Sequence, residues 1–131
     1  AQCYAYRVRL FQFLLVLDQH AVDFPKPKGA KTNRWHFNRS RQMRTPNEAQ
    51  YKRVQAQFKT KKKRDVFLEA LKAQQTRATQ LYELVVSEHP GTPWARRANW
   101  ELKAGYGMSV HEGFHDPRYR DVGTRIKVPK F

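Results

Sequence analysis

His89-Pro90-Gly91-Thr92-Pro93-Trp94-Ala95 lies between two stretches with helical periodicity. Pro90 and Gly91 stop the helix before them, since proline cannot donate a backbone hydrogen bond and glycine leaves helical dihedrals readily. Thr92 is a good N-cap and Pro93 a good first helical residue, so a second helix opens at once. It runs over 93–104 with Trp94, Ala95, Ala98 and Leu102 on its inner face, and Gly105 fits the left-handed position that closes it. The unit is helix, tight turn, helix. Small residues at Ala78, Ala95 and Ala98 let the two backbones approach closely, with Tyr82 and Trp94 filling space around them.

Upstream, Thr45-Pro46-Asn47-Glu48 has the form of a capping box with proline at the first helical position. No glycine or proline follows until Pro90. Tyr51, Val54 and Phe58 make an early apolar face; Leu68, Leu71, Ala78, Leu81 and Val85 make a later one. Between them, Thr60–Asp65 offers no apolar contact. The reading is one long, bent helix, the alternative being two helices that meet near 60–65. At the N-terminus, Tyr4, Val8, Phe11, Leu15 and Val22 recur at helical steps, while Leu10, Phe13, Leu14, Val16 and Leu17 fill much of the remaining circumference. A helix that is apolar most of the way round needs burial on more than one side.

The expected organisation is an apolar helix over 1–22, a basic Pro/Trp linker over 23–45, the long helix and hairpin over 46–105, and an irregular tail over 106–131. The fold class is all-α. Asn33–Arg39 reads as a short strand or extended ribbon, too short and too basic to found a sheet by itself, and Thr124–Val128 as a short strand or extended arm.

The 131 residues carry 26 Lys and Arg against 11 Asp and Glu, a net charge of +15. The imbalance is local. Residues 25–64 hold fourteen basic groups and one acid, Glu48, whereas 1–24 and 65–104 are each balanced. Arg34, Arg39, Arg41, Arg44, Lys61, Lys62, Lys63 and Arg64 form the expected basic patch. Basic groups interleaved with Trp35, Phe37, Tyr51 and Phe58 suit either an acidic protein surface or a phosphate backbone. One cysteine excludes an internal disulfide framework and an all-cysteine metal site. No apolar run approaches the ~20 residues of a membrane span. Lacking an initiator Met, the chain reads as a fragment or processed product.

The residues Ala78, Leu81-Tyr82, Val85-Val86, Glu88–Ala95, Ala98 and Glu101-Leu102 resemble a tetratricopeptide-type hairpin. Tyr82–Gly107 is similar to the C-terminal region of large uncharacterised bacterial proteins, many of which carry a von Willebrand A-type domain. The resemblance implies an interaction or scaffold module and no chemistry, in a bacterial envelope or cytoplasm. Only one hairpin is visible, whereas solenoids need about three repeats. The Asp-x-Ser-x-Ser metal motif of that domain is absent from this chain.

His111-Glu112-Gly113-Phe114-His115 matches H-E-x-x-H, in which two histidines on one helical face ligate zinc and the glutamate activates water. Gly113 lies inside the string and Asp116-Pro117 follows it, which argues against a helix, and neither His nor Glu occurs later to supply a third ligand. It reads as a polar loop. Cys3 reads as a small core residue. The resulting expectation is a non-enzymatic scaffold or accessory subunit without cofactor, in an oligomer or hetero-complex with acidic protein surfaces. Phe11, Leu15, Trp35, Trp94 and Trp100 are the expected protein contacts. Nucleic-acid binding through 25–64 is the alternative, and a zinc site at His111 and His115 a third reading.

Overall fold

The computed structural model describes residues 1–54, 60–116 and 118. In chain order the elements are α1 (Gln2–Asp23), β1 (Arg34–Ser40), α2 (Glu48–Val54), α3 (Lys61–Glu88), α4 (Pro93–Ala104) and β2 (Gly107–Gly113). The all-α expectation is corrected: of the described residues, 62% are helical and 13% lie in a two-stranded antiparallel sheet. Arg34 pairs with Gly113, His36 with His111 and Ser40 with Gly107. The ribbon at 33–39 finds its partner some seventy residues later, in a segment that reads as irregular when taken alone. The period-two signal is present in both strands. Trp35 and Phe37 alternate with Arg34, His36 and Asn38, and Met108 and Val110 alternate with Ser109 and His111.

α1 is the central element. Ala5, Val8, Phe11 and Leu15 bury against Leu71, Ala78 and Tyr82 of α3, Ala98 of α4, and Tyr106. Phe11 meets Phe67 edge-on at 5.3 Å between centroids. Another side of α1 carries the sheet, with Phe13 edge-on to Phe37 at 5.3 Å and His20 edge-on to Trp35 at 4.6 Å. Each fully buried aliphatic side chain contributes roughly 1.5–3 kcal/mol of transfer free energy. Alanines at 5, 78 and 98 permit the close approach. Trp94 does not join the inner face of α4; it is 74% exposed, and Ala95, Ala98 and Glu101 are buried instead.

The single long helix is also corrected. Thr60 has extended dihedrals and its side chain accepts from the amide of Lys63, so α3 starts afresh there. α2 is capped two residues later than the Thr45/Glu48 box. Asn47 Oδ1 accepts from the Gln50 amide at 2.8 Å, and Gln50 Oε1 accepts from the Asn47 amide at 3.2 Å. Gln50 is buried and also donates to the Leu15 carbonyl, which pins α2 to α1. Glu48 pairs instead with Arg64 at 2.5 Å. The segment before α2 is clipped to α1 by Gln12, whose amide donates to the Arg44 carbonyl at 3.0 Å and accepts from the Arg44 amide at 2.7 Å. Phe58 and Thr124–Val128 lie outside the described residues.

Gly105 ends α4 with φ 75° and ψ −176°, a conformation only glycine adopts readily, and sends the chain straight into β2. This is an extended closure, not the left-handed one expected. At Gly107 a Cβ would stand 1.9 Å from the Gln42 carbonyl oxygen, with no flexible side chain to yield. Gly107→Ala is therefore expected to cost about 1–3 kcal/mol, the range for forced overpacking, read as a lowered urea midpoint.

Candidate functional site

Arg9 lies on the buried arc of α1, between Val8 and Leu10, and faces α4. There it meets Glu101, whose exposure is zero. Two more guanidiniums converge on the same carboxylate: Arg39 from β1 at 2.9 Å, and Arg97 from one turn earlier in α4 at 2.8 Å. Arg39 also donates to the carbonyls of Glu101 and Gly105 at 3.1 and 2.9 Å, and Arg41 donates to that of Lys103 at 2.8 Å. Arg41 thereby satisfies a carbonyl that the end of α4 leaves unpaired, while the Glu101 carbonyl also accepts from the Gly105 amide, and the helix dipole favours cations here. Burial pushes the Glu101 carboxyl up, but the charges of Arg9 and Arg39 and the hydrogen bonds from Arg9 and Arg97 outweigh it. The group sits below its ordinary pKa.

Three guanidiniums around one carboxylate leave two positive charges without a counterion in the cluster. The Nε atoms of Arg9 and Arg39 are buried and have no hydrogen-bond partner among the described residues. The cations are partly covered by aromatic faces. Arg39 and Arg97 lie 4.5 and 4.6 Å from the Trp100 centroid, and Arg9 lies 5.5 Å from Tyr6 and 5.7 Å from Tyr106.

The cluster borders a groove of about 590 Å³. Tyr6, Leu10 and Phe13 of α1, Trp100 of α4 and Met108 of β2 supply its apolar lining, and Arg7, Arg9, Arg39 and Arg97 its charge. Trp94, Cys3 and Arg97 belong to a second groove of about 710 Å³ at the N-terminal end of α1. The outer face of α1 runs beside both. Cys3, Tyr6, Leu10, Leu14, Leu17 and Ala21 follow one another at steps of three and four, and all are exposed, Tyr6 and Leu10 by 55% and 60%.

The expected contact residues separate. Phe11 and Leu15 belong to the chain's own core and are closed to a partner. Trp35 is half-buried against His20. Trp94 and Trp100 are open, each beside one of the grooves. The basic patch separates too. Arg39 and Arg41 hold α4, and Arg64 pairs with Glu48 and lies 4.8 Å from the Tyr51 ring. Arg44 is anchored through its backbone to Gln12. Arg34, Lys61, Lys62 and Lys63 have exposed side chains.

H-E-x-x-H does not form a zincin site. His111 and Glu112 lie on β2 and point to opposite faces. Glu112 accepts from the amides of Lys28 and Gly29 at 2.9 and 3.2 Å, and so fixes the loop before β1. The backbone of His115 is held by Asn33 at 2.8 Å in both directions. Among the described residues no group of three or more His, Cys, Asp or Glu is placed to hold a metal, and no helix is long and apolar enough to cross a membrane. Cys3 is exposed on the α1 ridge, not in the core.

The sequence reading missed Arg9, Glu101 and Arg97. A charged residue inside an apolar helix was the available signal, since burial of an arginine demands a carboxylate elsewhere. No family model, curated protein or solved structure matches the chain.

Glu101→Gln leaves the guanidiniums without their carboxylate and is expected to destabilise by about 3–5 kcal/mol in urea unfolding, the range for breaking a buried ion pair. Because the folded pKa of Glu101 is depressed, its contribution is complete above the unfolded value of about 4.3. It is lost as pH falls from there through the folded value. The stability gap between wild type and Glu101→Gln is therefore expected to be constant near neutrality and to narrow below about pH 4, measured as urea midpoints across a pH series.

Proposed function

We propose that this chain is a non-catalytic docking module, an accessory subunit or part of a scaffold, that binds a protein partner of acidic character. One observation carries the reading: an uncharged apolar ridge on α1 lies beside an apolar groove backed by Arg9, Arg39 and Arg97, a cluster that among the described residues has one carboxylate for three guanidiniums. Contiguous exposed apolar surface of this kind marks interaction sites, and aromatic and arginine side chains are the residue types that anchor them. Surplus charge at the wall favours carboxylates and speeds encounter with an acidic surface.

The nucleic-acid reading draws on the same +15 chain, yet Arg39, Arg41, Arg53 and Arg64 are engaged within the fold. Exposed Lys62 and Lys63 border a groove of about 600 Å³, but the one aromatic ring in its lining, Phe67, packs edge-on against Phe11, whereas the groove beside α1 adjoins a longer apolar ridge, so an acidic protein is the better fit. Native mass spectrometry of the protein isolated from its source is expected to show a stoichiometric protein partner. Leu14→Glu should release that partner. Retained nucleic acid in its place, or a lone 15.6 kDa chain, would overturn the proposal.

A further inference from the structure

The outer face of α1 suits one kind of occupant. We infer that an amphipathic helix of another protein, with carboxylates beside its apolar stripe, lies along the ridge Tyr6, Leu10, Leu14 and Leu17. The inference rests on the docking reading above and names the partner's form and charge.

Three observations lead there. First, the ridge advances by three and four residues from Cys3 to Ala21, about 27 Å at the helical rise. That spacing is the seam along which one helix packs on another. Second, the backbone of α1 is consumed by its own hydrogen bonds, so this face offers side chains alone. An extended strand or loop laid on it would leave its own amides and carbonyls without protein partners, whereas a helix brings them already satisfied. Third, the charge is one-sided. No acid stands on the ridge; Arg7 is exposed at one edge, and at the other stands half-exposed Arg97 with the more buried Arg9 and Arg39 behind it. A second copy of a +15 chain would set basic edge against basic edge, so the complementary helix carries glutamate or aspartate and comes from elsewhere.

The test is fluorescence anisotropy with two labelled synthetic peptides of about four heptads. Both carry leucine at the two seam positions. One has glutamate and the other lysine at the flanking positions, and like-charge repulsion keeps each probe from pairing with itself. The glutamate probe is expected to bind at least ~10-fold more tightly than the lysine probe, and to weaken as salt screens the edges. Leu14→Glu should weaken it by ~10-fold or more and Arg7→Glu by a smaller factor. Both residues are exposed, so circular dichroism and thermal melting should match wild type.

No binding of the glutamate probe, or equal binding of the two probes, overturns the inference. So does ridge-dependent dimerisation of the free chain in sedimentation velocity, which would assign the face to a second copy. Binding to phosphatidylglycerol vesicles that Leu14→Glu abolishes would assign it to lipid. A native partner lost in Leu14→Glu while the glutamate probe stays silent retires the helix and keeps the docking reading. A silent probe with no native partner retires both.

Discussion

Glu101, with no solvent contact, fixes the relation between three parts of the chain that are far apart in sequence. Arg9 reaches it from α1, Arg39 from β1 and Arg97 from its own helix. A buried ion pair is a poor source of net stability, because desolvation offsets most of its attraction. Its directional demands are strict, however. If α1 slid one turn along α4, or the sheet shifted by one residue, a buried charge would lose its partner. Arg39 arrives in place because Ser40 pairs with Gly107, and that pairing needs the tight passage at Gly105 and Gly107. A Cβ at Gly105 would stand 2.7 Å from the Arg41 Cα. The cluster and the sheet register therefore specify one another.

This arrangement changes the meaning of the basic stretch. Viewed as composition, residues 25–64 are a cationic surface. In the fold, Arg39 and Arg41 neutralise the carbonyl end of α4, Arg53 holds Asp18 at 2.9 Å, and Arg64 links the start of α3 to Glu48 of α2. Arginine suits this work because its planar fork serves several acceptors at once, as Arg39 does with a carboxylate and two carbonyls. The lysines at 61–63, whose ammonium is a point charge, stay at the surface. Net charge thus overstated the cations available to a ligand.

Local signals were legible in the sequence, and long-range pairings were not. The turn at His89–Ala95 occurs as read: Thr92 caps α4, with its hydroxyl accepting from the Ala95 amide at 3.2 Å, and Pro93 is the first helical residue. Helix α1 likewise spans nearly the range its apolar pattern indicated. The cap of α2 was displaced because Asn47 and Gln50 form a reciprocal pair that competes with Thr45 and Glu48, and Glu48 has an alternative partner in Arg64. The sheet was lost because each strand is marginal alone, and period-two patterning names no partner. The site was lost for the same reason: Arg9 and Glu101 are separated by 92 positions, and an arginine inside an apolar helix calls for a carboxylate without saying which.

The ridge on α1 stands apart from all of this. The helix buries Ala5, Val8, Phe11, Leu15 and Val16 on one arc, and Leu10, Leu14 and Leu17 lie on the opposite one. The buried arc is closed by α3, α4 and Tyr106 without help from the ridge. The part of each ridge leucine that stays exposed gains nothing from folding, so its hydration cost is relieved only by association. A chain that needed a partner to complete its core would expose the arc that α3 now covers. Here that arc is covered, and the exposed leucines of α1 lie on a separate face. That separation lets one substitution interrogate the proposed docking and another interrogate folding.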